Sequence, residues 1–204
     1  MHLLGQTVLG IAIVLLLGAL VLVKRISTGS VLDKPQGSFL IQLVNVFNLF
    51  FLLVVNPLAA VGLITGRLIG IDPTHLTIPA GWLLALLEIA GLLLYVTGFV
   101  LMGWALLTLG RYYQLGGSTP RPEDQMIMKG PYHLIRHPMY TAALSISLGL
   151  SFLIQSLAFF AVFVIYLALI LRLIPLEEQE LEKAYGSRYL DYQRKTRMLL
   201  PAIY

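Results

Sequence analysis

The chain has 204 residues, of which 58% are hydrophobic and only 12% charged, with no cysteine and a formal net charge of +4. A charged fraction about half that of soluble domains excludes an ordinary water-soluble fold and defines an integral membrane protein. The missing cysteines exclude disulfides, thiolate nucleophiles and thiolate metal sites, and the 4 histidines show no HxxxH or HxxE spacing, so no dedicated metal centre is expected.

A helix needs about 20 largely apolar residues to cross a bilayer. Residues 3–23 supply the first such run. Only His2 precedes it, without a basic flank or a small-residue cleavage site, so it reads as a retained helix and not a signal peptide. The second run, 39–69, is interrupted by Asn56-Pro57, where proline removes a helical hydrogen bond and predicts a kink. Within it, Gln42, Asn45 and Asn48 recur every three residues and predict a polar stripe. It serves either helix packing, the preferred reading, or a path for a lipid substrate. Gly62, Gly66 and Gly70 follow at four-residue spacing, which predicts a close helix approach. The third run, 78–109, carries Glu88 about three turns inside, a functional candidate because a carboxylate is costly in hydrocarbon. Residues 139–174, at about 1.5 Å per residue, fit two short spans joined near Gln155-Ser156 as a helical hairpin.

The expected fold is therefore all-α, with about five transmembrane helices, spans four and five forming the hairpin. Charge supports this map. Of the 14 basic residues only Arg67 falls on the far side, and the remainder gather in the first and third loops and the tail. That pattern predicts an outside amino terminus, a cytoplasmic carboxyl terminus and partnership with anionic lipid, not nucleic acid. Residues 1–109 are nearly pure membrane helix, whereas 110–204 hold most of the chemistry, in one structural unit. The segment "RYYQLGGSTPRPEDQ" (111–125) reads as an irregular surface connector.

After that connector comes "KGPYHLIRHPMY" (129–140), dense in aromatic, cationic and nucleophilic side chains. His137 precedes Pro138, and a residue before proline is pushed out of the helical region, so His137 is expected to cap helix four with Pro138 at its first turn. A helix start offers unpaired N–H groups to a carboxylate or phosphate, and Arg136 and His137 strengthen that site. Beyond the hairpin, Pro175 is expected to close helix five. "LEEQELEKAYG" would then open an amphipathic cytoplasmic helix with Glu177 and Glu178 in its first turn. The hairpin returns the chain to one membrane face, so the basic helix start and the acidic pair become neighbours. A zwitterion bearing hydroxyls fits between them.

The ordered set of GPY (130–132), RHPMY (136–140), hydrophobic hairpin, Glu177-Glu178, "YGSRYLDY" (185–192) and a closing "LLP" resembles the isoprenylcysteine carboxyl methyltransferases and related phospholipid methyltransferases. The resemblance covers about residues 110–204. It implies S-adenosylmethionine as cofactor, with contacts from Gln125, Met126, Ile127, Tyr132, His137, Pro138, Met139, Tyr140 and one of Glu177 or Glu178. It implies methyl transfer to a lipid-anchored or lipid acceptor taken from the bilayer, at an active site facing the cytoplasm. An isoprenylcysteine-type carboxylate is the first acceptor expected. Arg172 would hold an acceptor carboxylate or else snorkel to the interface. For an amine acceptor, His137, Tyr140 or a glutamate becomes the candidate base. Ala142 stands where the family usually has glycine, which alters pocket dimensions. Three alternatives stay open at this point: an N-methyltransferase of phospholipids or another amphiphile, a sterol-type membrane reductase, and a non-catalytic membrane scaffold.

Overall fold

The computed structural model describes residues 5–30, 39–113 and 124–200. The expected loop charges at Lys34 and Arg121, most of the 111–125 connector, and residues 201–204 lie outside these. Among the described residues eight α-helices form: α1 (Gln6–Thr28), α2 (Phe39–Phe50), α3 (Asn56–Ile64), α4 (Leu68–Ile71), α5 (Gly81–Leu109), α6 (Pro138–Ile154), α7 (Leu157–Tyr185) and α8 (Ser187–Lys195). No strand forms among them.

Four of the described stretches are long and apolar enough to cross a membrane, namely α1, the α2–α3 run, α5 with its following turn, and α7. The shorter α6, with 17 residues, spans about 25 Å. It completes the expected hairpin. At the turn Gln155 takes a left-handed conformation (φ 53°) and its side-chain amide donates to the carbonyls of Phe152 and Leu153, both at 3.3 Å. Ser156 then caps α7 by accepting the Phe159 N–H. On this same face Thr74 clasps the turn, its carbonyl accepting the Leu157 N–H at 3.2 Å and its hydroxyl the Ala158 N–H at 3.0 Å.

Pro57 acts as expected, through a widened turn. A five-residue π-helix (Phe51–Val55) separates α2 from α3, and the Phe51 carbonyl accepts the Asn56 side-chain amide at 2.8 Å, while Tyr95 donates its hydroxyl to Asn56 Oδ1 at 2.6 Å. A π-turn lets the helix pass a proline that cannot donate. Above the bend α2 packs on α7 through Ile41 and Val44; below it α3 packs on α1. The two halves of this span thus lean on different partners and leave a gap beside α2.

The glycine expectation needs correction. Gly66 lies beyond the end of α3 with φ 67°, in a turn, so Gly62, Gly66 and Gly70 do not share one helix face. Of the three only Gly62 meets a close neighbour, Leu68 of α4, 2.9 Å from where its Cβ would be; the approach of backbone to backbone occurs elsewhere. A Cβ on Gly149 would sit 2.7 Å from the Gly91 carbonyl oxygen, and one on Gly98 would sit 2.9 Å from the Ala142 carbonyl oxygen. These pairs seat α6 against α5, with Ala142 fully buried there.

Pro175 does not end α7. The helix runs through it for 29 residues to Tyr185, and Glu177 and Glu178 lie inside it instead of opening a new helix. The lost hydrogen bond is offset by tertiary contacts on both sides of the proline, where Leu173 and Ile174 are fully buried and Glu177 accepts the Tyr140 hydroxyl. Glu177 is 20 residues beyond Leu157, about 30 Å along the axis, which is the thickness of the hydrocarbon layer. The acidic pair therefore emerges at the membrane surface. The amphipathic helix expected over 176–186 is thus the last part of α7; a separate short amphipathic helix, α8, follows it, with Tyr189 and Tyr192 on its buried face.

Candidate active site

His137 is the residue before α6 and Pro138 its first helical residue, as the sequence implies. The imidazole does not cap the helix but reaches across to α7, with Nε2 3.1 Å from Glu178 Oε1 and Nδ1 3.7 Å from Glu177 Oε2. Tyr140, one turn into α6 and stacked on His137 with ring centroids 5.8 Å apart, donates its hydroxyl to Glu177 Oε1 at 2.5 Å. The hairpin brings the two motifs together, as the topology requires.

The two glutamates have different surroundings. Glu178 accepts the Arg136 Nε–H at 2.6 Å and the Gln193 Nε2–H at 3.0 Å, and it does not line the cavity. Arg136 in turn donates to the carbonyls of Thr196 at 2.6 Å and Gln193 at 3.3 Å. Its donors thus hold the tail of the chain against the start of α6. The tail is further fastened by the Arg136 and His137 N–H groups, which donate to the Arg197 and Met198 carbonyls at 2.7 and 3.1 Å, and by Thr141 Oγ1 on the Leu199 carbonyl at 2.7 Å. So the His137 N–H at the helix start is already satisfied by the chain itself.

Glu177 faces inward, onto a cavity of about 360 Å³. This lies within the range of small-molecule sites. Its polar end is formed by the extended segment 124–127, by Tyr132, by the start of α6 and by Glu177, Tyr185 and Tyr189; its apolar end by Leu20, Leu49, Leu52, Met102 and Leu106. Leu53, also on the wall, is 43% exposed toward the lipid side. Of the residues implied by the resemblance, Gln125, Met126, Ile127, Tyr132, His137, Pro138, Met139, Tyr140 and Glu177 all line this one cavity. Arg172 does not. It lies on the exposed face of α7, turned away from the wall on which Glu177 lies.

Several wall residues carried no assigned role in the sequence. Tyr192 donates its hydroxyl to the Tyr132 carbonyl at 2.5 Å. Burial pushes Tyr192 up to about 12 and raises Tyr132 well above the usual tyrosine range, so both remain protonated and hold the wall in place. The Tyr189 hydroxyl, on a residue only 2% exposed, and the Asn45 side-chain nitrogen, on a residue 6% exposed, have no hydrogen-bond partner among the described residues. Both residues line the cavity. Buried donors without partners are uncommon and point to a ligand. The "YGSRYLDY" motif could have drawn attention to Tyr189. Asn45 belongs to the polar stripe for which helix packing is the preferred reading from sequence, and its unpartnered amide on the cavity wall fits the alternative of a path better. Asn48, next in that stripe, accepts a hydrogen bond from the Tyr166 hydroxyl, where α7 packs on α2. Glu88 is buried in α5, outside this wall.

Together these features define a polytopic α-helical membrane protein with an amphipathic ligand cavity built at a membrane face. The sequence pattern of the phospholipid methyltransferases matches residues 86–188, and the chain belongs to that family. It is 32% identical over 104 residues to the cobalt-zinc-cadmium resistance protein CzcN of Cupriavidus metallidurans, covering 50% of this chain and 48% of that one. It is 28% identical over 118 residues to the protein-S-isoprenylcysteine O-methyltransferase B of Arabidopsis thaliana, covering 55% and 58%. The chain thus spans about half the length of these curated relatives. A solved structure of the eukaryotic intramembrane Ras methyltransferase, an isoprenylcysteine carboxyl methyltransferase, superposes with a TM-score of 0.52 at 20% identity over 79% of this chain and 73% of that one. At that identity the likeness is one of fold.

Proposed function

We propose that this protein transfers a methyl group from S-adenosylmethionine to a lipid-like acceptor drawn from the bilayer, with an isoprenylcysteine-type carboxylate as the preferred acceptor and the cofactor entering from the cytoplasm. The observation that carries this reading is the two-ended cavity, in which a carboxylate and tyrosines at the membrane surface join an apolar wall among α1, α2 and α5. Membership in the phospholipid methyltransferase family and likeness to a relative named as an isoprenylcysteine O-methyltransferase support it.

The donor set suits the cofactor. Glu177 offers carboxylate oxygens to hydroxyl or ammonium hydrogens, and the unpartnered Tyr189 hydroxyl can donate to a carboxylate or a ring nitrogen. S-adenosylmethionine supplies a methyl group on a sulfonium. With a carboxylate acceptor, transfer would form an oxygen–carbon bond as the sulfur–carbon bond broke, releasing S-adenosylhomocysteine, and the loss of opposite charges would be favoured by a dry site. The protein needs no nucleophile or metal for this. Its contribution is alignment, a term that can reach about 7–11 kcal/mol. Tyr140 and His137 hold Glu177, and Tyr192 holds the Tyr132 turn, so the wall is braced by contacts within the chain.

The deciding experiment is calorimetric titration of purified protein with S-adenosylhomocysteine, followed by transfer of labelled methyl to carboxylate and amine amphiphiles. Saturable binding and labelling of the carboxylate are expected. Absence of binding sinks the reading, and labelling of the amine alone moves the acceptor to a phospholipid-type amine.

A further inference from the structure

Resting on the methyl-transfer reading above, we propose that Asn45 is the residue that recognises the acceptor, by donating from its side-chain amide to an oxygen of an anionic head group. Asn45 lies on α2, whose neighbouring Ile41 and Val44 pack on α7, so the helix is fixed with Asn45 among the residues of the cavity wall. The residue is 6% exposed and its Nδ2 has no partner among the described residues. Leaving a buried donor unmade is costly, and a site that keeps one selects a ligand able to accept from it.

Position favours the acceptor over the cofactor as that ligand. Tyr166 and Asn48, both on the cavity wall, bond where α7 meets α2, and Tyr166 is 11 residues before Glu177, about 16 Å deeper along α7. Asn45 is three residues before Asn48, about 4.5 Å nearer the surface on the antiparallel α2. It therefore lies between the polar end, where Glu177 and Tyr189 stand, and the apolar wall of Leu49, Leu52 and Met102. A lipid whose tail lies on that wall brings its head group to this level. A donor there matches a carboxylate or carbonyl oxygen, which a protonated amine does not offer.

The test measures binding of N-acetyl-S-farnesylcysteine, and of S-farnesylcysteamine as an amine with the same tail, to purified protein without cofactor. Asn45→Leu and the isosteric Asn45→Asp, which exchanges the donor for an acceptor, are compared with wild type. Both variants should weaken binding of the acid by at least about tenfold, as for a lost hydrogen bond to a charged group, while S-adenosylhomocysteine affinity stays within about twofold. Binding of the amine should be unchanged in Asn45→Leu and stronger in Asn45→Asp. Equal acid binding in wild type and Asn45→Asp overturns the assignment, as does parallel loss of both probes or of S-adenosylhomocysteine. If wild type binds the acid through Asn45 but binds no S-adenosylhomocysteine, the assignment of Asn45 stands and the methyl-transfer reading fails.

Discussion

The Tyr140 hydroxyl donates to Glu177 Oε1 at 2.5 Å, joining the first turn of α6 to the surface end of α7. This bond points one glutamate of an adjacent pair into the cavity while Arg136 and Gln193 hold the other outside it. Consecutive helical residues point about 100° apart, so the pair cannot share a role.

Glu177→Gln should therefore weaken S-adenosylhomocysteine binding by about 1.5–3 kcal/mol, the range for a hydrogen bond to a charged group. Glu178→Ala should leave that affinity nearly intact. It strips the partner from Arg136 Nε and loosens the tail, so about 2–3 kcal/mol of stability should be lost instead. Calorimetry and thermal unfolding in detergent read the two effects separately, and equal loss of affinity in both variants would refute the division.

The contact of α5 with α6 gives a stability test independent of any ligand. In Gly149→Ala the new Cβ would lie 2.7 Å from both the Gly91 carbonyl oxygen and the Tyr95 nitrogen, which are backbone atoms that cannot swing aside. A loss of about 1–3 kcal/mol is expected from overpacking. Gly18→Ala meets nothing within 4 Å and should be neutral or slightly stabilising. Unfolding midpoints that coincide for the two variants would contradict this packing.

What the sequence made legible followed local rules. Apolar run lengths located the spans, the His137-Pro138 step located the start of α6, and the polar break at Gln155-Ser156 located the hairpin turn. What it concealed depended on partners distant in sequence. Proline propensity predicts an end at Pro175, but burial of Leu173 and Ile174 before it and the Tyr140–Glu177 bond after it accompany a helix that runs on. Choosing between Glu177 and Glu178 requires the phase of α7 relative to α6, which no spacing within α7 supplies. Likewise Gly91 and Gly149 meet from separate helices, whereas the regular Gly62, Gly66 and Gly70 pattern crosses the end of a helix.

Arg172 offers a direct check on side-chain placement. It lies on the outer face of α7, where a long cation can extend to the head groups. Arg172→Ala should leave S-adenosylhomocysteine affinity and methyl transfer within about twofold of wild type, since a snorkelling interfacial charge contributes less than about 1 kcal/mol. A methyl-transfer assay that finds activity abolished with cofactor binding intact would restore Arg172 as an acceptor contact and would require a rotation of α7.

Orientation follows from which helix ends share a face. Lys24, at the end of α1, lies 5.4 Å from the centre of the Tyr113 ring beyond α5, so those two ends lie together. The tail beyond α8 bonds to the start of α6, and Arg136, Arg194, Lys195 and Arg197 gather there. At the opposite face the Leu76 N–H donates to the Gln155 carbonyl at 2.7 Å, and Gln6 and Leu9 of α1 border a small cavity with Ile154 and Gln155. Only Arg67 among the described arginines and lysines belongs to that face. Because basic loops remain on the cytoplasmic side, the α1 start should face away from the cytoplasm and the α8 end toward it. A reporter fused after Tyr204 should be active only in the cytoplasm. The chain has no cysteine of its own, so a membrane-impermeant thiol reagent applied from outside should label the Pro73→Cys variant, in the turn after α4, but not Ser187→Cys at the start of α8. Labelling of both from outside would overturn the five-crossing arrangement and, with it, the cytoplasmic entry of the cofactor.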